Sequence, residues 1–81
     1  MIKDVSVEDV AHEAKAVAKA LERKWPGISA TVSLQTPSTA DAWVIVAEAG
    51  VHEDEISWDA ADLESQISSV RGIDIVTVFE R

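Results

Sequence analysis

Val7, Val10, Ala14, Val17, Leu21 and Trp25 recur every three or four residues, and no other feature constrains the chain as strongly. At 3.6 residues per turn these side chains wind onto one stripe with Ala11 and Ala18 beside it, so the spacing predicts an amphipathic helix over residues 6–25. Ser6 stands where an N-cap hydroxyl can accept from a free first-turn amide, and Val5 and Val10 hold the two positions of a hydrophobic staple. Glu8, Asp9 and Glu13 lie towards the N-terminus and Lys19, Arg23 and Lys24 towards the C-terminus, so each charge opposes the nearer end of the helix dipole. Pro26 disfavours helical geometry at Trp25 and cannot continue the helix, and Gly27 completes the stop. Alanines on the stripe bring the helix backbone close to whatever it covers, which predicts a sheet whose side chains supply the bulk.

Beyond that stop, Ile28, Ala30, Val32 and Leu34 alternate with Ser29, Thr31, Ser33 and Gln35, the period of a half-buried strand. Residues 36–41, T-P-S-T-A-D, read as a turn of the length that joins antiparallel neighbours. Residues 42–49, A-W-V-I-V-A-E-A, are apolar on both faces as far as Glu48 and suit a central strand. Gly50 is expected to open an acidic loop, V-H-E-D-E-I-S. A second helix follows from Asp59 as cap, with Asp62 in its first turn, Trp58 stapled onto Leu63, and Leu63, Ile67 and Val70 as its buried stripe. Gly72 is the expected stop, and residues 73–80, I-D-I-V-T-V-F-E, form the last strand. The reading is an α+β fold in the order α-β-β-α-β, with a three-stranded mixed sheet and both helices on one face. The crossover through the second helix favours a parallel pairing of the last two strands.

The facing of the sheet follows if Glu48 marks the solvent side. Ala42, Val44 and Val46 then share that side, while Trp43, Ile45, Ala47 and Ala49 meet the helices. On the last strand, Asp74, Val76, Val78 and Glu80 point outward and Ile73, Ile75, Thr77 and Phe79 inward. Val44, Val46, Val76 and Val78 beside Ser29, Thr31, Ser33 and Gln35 are therefore the expected open face, and a candidate contact for a partner or for a second copy of the chain.

Eighty-one residues of which 47% are hydrophobic fit one domain over residues 1–81. No run of about 18 apolar residues could span a bilayer, and M-I-K-D-V lacks the apolar region of a signal peptide, so a cytoplasmic location is the expectation. The absence of cysteine excludes disulfides, thiolate metal sites and cysteine nucleophiles. Net charge is −8, and it is unevenly placed. Asp41, Glu48, Glu53, Asp54, Glu55, Asp59, Asp62 and Glu64 carry all of it, because residues 25–70 hold no lysine or arginine and the two flanking segments are each balanced. Such a surface repels nucleic acid and anionic membrane and steers a basic partner towards itself.

Motifs for chemistry are absent. His52 beside Glu53, Asp54 and Glu55 gathers ligand types, but consecutive residues do not converge on an ion as spaced ligands do. His12 has no identifiable nucleophile to activate. Ser65, Ser68 and Ser69 lack a nucleophile-elbow context, and three glycines make no phosphate cradle. Neither a cofactor nor a metal is expected. The order helix, strand, strand, helix, strand resembles that of the BON domain, a small module that binds phospholipid or partner proteins. This resemblance covers residues 7–80 in element order, while the hairpin S-L-Q-T-P-S-T-A-D-A-W departs from the glycine-bounded strands of that family. In size and charge the chain is also similar to phage-encoded inhibitors of bacterial defence nucleases and to immunity proteins. The expectation is a non-enzymatic protein-binding module, an adaptor or inhibitor, that uses Glu53, Asp54, Glu55, Asp59 and Asp62 or the valine face. A nucleic-acid mimic, whose carboxylates stand in for phosphates, and an enzyme accessory subunit are the alternatives.

Overall fold

A computed structural model describes residues 7–34 and 40–80. Val5 and Ser6, the expected staple and cap, lie outside these residues, as do Gln35 and residues 36–39 of the turn. The elements are α1 (Val7–Lys24), β1 (Ser29–Ser33), β2 (Ala42–Ala47), a 3-10 turn (Gly50–His52), α2 (Glu53–Arg71) and β3 (Ile75–Phe79). β2 is central, antiparallel to β1 and parallel to β3, and both helices pack on one face of this mixed sheet.

α1 buries Ala14, Val17, Ala18 and Leu21, the middle of the expected stripe, while Val7 at its start is exposed. The Trp25 amide still donates to the Leu21 carbonyl at 2.8 Å, so the helical ladder runs up to the proline that ends it. On the neighbouring edge the Glu22 carboxylate accepts the Ala30 amide at 3.1 Å, which satisfies a β1 edge donor and fastens the end of α1 to the sheet.

α2 begins at Glu53, six residues before the expected Asp59, and the supposed acidic loop is its first turn. Glu53, Asp54 and Glu55 face a helix N-terminus whose unpaired amides favour negative charge. The earlier start changes the buried stripe. Ile56 and Ala60 are buried, with Leu63 and Ile67 packed beside them, whereas Val70 is 80% exposed. Gly72 caps the helix in the left-handed region at φ 68°, its amide donating to the Ser68 carbonyl at 3.0 Å.

The facing of β2 is the reverse of the expectation. Ala42, Val44 and Val46 are each 0% exposed beneath the helices, and Trp43, Ile45 and Ala47 take the open side. β3 faces as expected, with Ile75 buried and Val76 outward. The error lies in Glu48: at φ 63° it is in the left-handed region, β2 has already ended at Ala47, and a residue past that bend carries no information about strand parity. The registers align Thr31 with Ile45, Trp43 with Val76, and Ile45 with Val78. The open face is thus Trp43, Ile45, Val76 and Val78 beside Ser29, Thr31 and Ser33, with Val44 and Val46 in the core instead.

Asp41 joins β2 to β3. Its carboxylate accepts the Asp74 amide at 2.8 Å, and the Asp74 carbonyl accepts the amides of Asp41 at 2.8 Å and Ala42 at 3.3 Å. The helices run antiparallel, and ion pairs mark both ends: Arg71 lies 3.7 Å from Asp9 and from Glu13, and Lys24 lies 2.9 Å from Asp59.

Candidate interaction site at the start of the second helix

The acidic residues separate into two groups once α2 is in register. Asp54, Glu55 and Asp62 are exposed, and Glu53 is half-buried. Asp59 faces α1: one of its carboxylate oxygens accepts from Lys24 Nζ at 2.9 Å and from Trp25 Nε1 at 3.0 Å. The Lys24 bond, with a smaller contribution from Trp25, holds this carboxyl below its ordinary range against the opposing effect of partial burial. Glu64 faces β3 and accepts the Thr77 hydroxyl at 2.5 Å, and burial raises its carboxyl above the ordinary range despite that bond.

Asp54, Trp58 and Asp62 are spaced i, i+4, i+8 on one outward line of α2, with Glu55 one turn before Trp58. Trp58 is 71% exposed instead of stapled onto Leu63, and Val51 of the preceding turn is 92% exposed. These two apolar groups and Trp25 line an open cleft of about 650 Å³ together with Asp54, Glu55, Asp59 and Lys24. The His52 ring leans on Trp25 with centroids 5.0 Å apart, and its Nδ1 is 3.6 Å from Glu55. A helix starting at Asp59 puts Trp58 at a helix end, where aromatic packing accounts for it; with α2 starting six residues earlier, Trp58 lies within the helix on its outward side. The signal was present in the i, i+4 spacing of Asp54, Trp58 and Asp62.

The two surfaces inferred from the sequence are not brought together. Val76 is exposed and Val78 half-buried on the open sheet face, opposite the helix layer to which α2 belongs. Trp43 on the same face is half-buried, and its indole N–H is enclosed with no acceptor among the described residues, out of reach of a partner. Among the described residues, no group of three or more histidine, aspartate and glutamate side chains could hold a metal ion, and no helix is long and apolar enough to cross a membrane.

Comparison of the chain with family models, with curated proteins and with solved structures gives no match, so the likeness in element order to the BON domain stays a likeness of order.

Proposed function

We propose that this protein is a non-enzymatic binding module that engages a basic protein partner through the start of α2. One observation carries the reading: Trp58, 71% exposed, stands on an outward line of the helix between Asp54 and Asp62. A tryptophan left in water forgoes a large burial free energy, and tryptophan is among the residues that dominate binding where it is covered by a partner. The carboxylates around it supply long-range attraction for a positively charged surface and discriminate against nucleic acid and anionic membrane. A pure mimic of nucleic acid is less well supported. Asp59 is paired with Lys24 and Glu64 turns to Thr77, which removes two charges from the row that would imitate phosphates. A cytoplasmic adaptor or inhibitor fits this reading.

The test is capture with wild-type protein and with Trp58→Ala, followed by association kinetics on the protein captured. The expected outcome is a partner with a basic surface that binds the wild type and is lost with Trp58→Ala. Replacing Glu53, Asp54 and Glu55 by Gln, Asn and Gln should slow association several-fold at low salt, with the difference shrinking as exposed charges become screened. A captured partner that binds Trp58→Ala as tightly as wild type would remove α2 as the contact.

A further inference from the structure

We infer that the cleft beside Trp58 is an arginine subsite, in which a guanidinium from the partner lies on the Trp58 ring and is held by Asp54 and Glu55. The inference rests on the reading of α2 as the contact for a basic protein and names the chemistry of that contact. The cleft is open to solvent and, at about 650 Å³, has room for an arginine side chain. Its lining combines three apolar side chains, Trp25, Val51 and Trp58, with three carboxylates and one ammonium. An anion would meet three carboxylates there. A wholly apolar group would strip water from them without replacing its hydrogen bonds. A cation carried on an apolar stem satisfies both kinds of lining, because the stem covers Val51 and Trp25 while the head, on the Trp58 ring, meets the carboxylates.

The three carboxylates are not equivalent. Asp59 is already held by Lys24 at 2.9 Å and Trp25 at 3.0 Å, so the molecule supplies its own ammonium for that position. Asp54 has no ion pair or hydrogen-bond partner among the described residues, and Glu55 has only the 3.6 Å contact with His52 Nδ1, a charge pair only when His52 is protonated. These two available carboxylates lie four and three residues before Trp58, on the turn below it, next to an indole face left in water. Guanidinium matches that pattern better than ammonium. It is planar and stacks on an aromatic ring, presents several N–H donors in a fixed fork to neighbouring carboxylates, and gives up its hydration more readily.

The probes are three capped tripeptides, acetyl-Gly-Xaa-Gly-amide with Xaa arginine, lysine or citrulline, the last matching arginine in shape without its charge. Each is titrated into the isotope-labelled full chain at physiological salt, reading the Trp58 indole N–H resonance and the Asp54 and Glu55 amides. Expected is saturable binding of the arginine peptide at the Trp58 indole, at least threefold tighter than the lysine peptide, with no saturation by citrulline. Trp58→Ala and the double variant Asp54→Asn, Glu55→Gln should each weaken the arginine peptide about fivefold or more, with unchanged amide spectra elsewhere. Glu8→Gln, at the far end of α1, should leave it unchanged. Arginine and lysine peptides binding equally, with shifts spread over the acidic surface, would overturn the guanidinium subsite and leave the broader basic-partner reading standing. Equal binding of arginine and citrulline would overturn cation recognition in the cleft. An indole that none of the peptides moves would also overturn the subsite, even where a folded basic protein still binds α2.

Discussion

Asp59 and Glu64 are five residues apart on one helix, yet their surroundings push their carboxyls in opposite directions. For Glu64, whose carboxyl is raised mainly by burial, folding favours the protonated form. Its contribution to stability is fully present below the unfolded pKa, near 4.3, and is lost as pH rises through the folded value. Glu64→Gln keeps an acceptor for Thr77 Oγ1 without the charge, so the variant should melt higher than wild type at pH 7, with the gap closing below about pH 4. Melts at pH 7 and 3.5 check this, and a lower melting point at pH 7 would mean that the charged hydrogen bond to Thr77 outweighs burial. Asp59 has the opposite sign. The stability it gains from Lys24 and Trp25 is present above the unfolded value, near 3.9, and disappears as pH falls through the depressed folded one. Asp59→Asn should therefore lower the melting temperature at pH 7 and make little difference in strong acid.

At the level of elements, α1 and α2 differ in how they are anchored. α1 owes its place to a stripe of small and medium apolar side chains, and Leu21, 1% exposed, is the largest of those it buries. Leu21→Ala should cost about 2–5 kcal/mol in denaturant unfolding, as cavity formation at buried leucines does. Val70, expected on the buried stripe of α2, is exposed, and Val70→Ala should change stability by less than about 0.5 kcal/mol. A large loss at Val70 would show that α2 is turned from the orientation described. The start of α2 rests on electrostatics, with three acids against the amide end of the helix and no side-chain cap from His52. Neutralising Glu53, Asp54 and Glu55 should consequently reduce helix stability as well as slow association, and unfolding curves on the same triple variant separate the two effects.

For the molecule as a whole, the two faces of the sheet have different tolerances. Val46→Lys places a charge beneath the helices with no partner and should destabilise by more than about 3 kcal/mol, enough to unfold much of a small domain. Ile45→Lys, on the open side, should leave a cooperative melt. The reverse result would restore the facing that Glu48 suggested. The open face itself spans three strands of about five residues, a footprint near 17 by 14 Å or roughly 240 Å². Stable interfaces bury about 800 Å² of accessible surface on each partner, so a dimer through this face would need contacts beyond the three strands, and the expected outcome of sedimentation at micromolar concentration is a monomer. The sequence by itself determined the order of elements, the span and phase of α1, the central place of β2 and the stop at Gly72. Those features depend on local spacing, on the fixed geometry of proline and glycine, and on whether one or both faces of a strand are apolar. Tertiary structure decided the facing of β2 and the true start of α2. Residues 42–47 are apolar on both faces, so parity had to come from beyond the strand, where the left-handed Glu48 breaks the alternation. An acidic run likewise reads equally well as a solvated loop or as a helix N-terminus. Only the burial of Ile56 and Ala60 against the core resolves that ambiguity, and with it the exposure of Trp58.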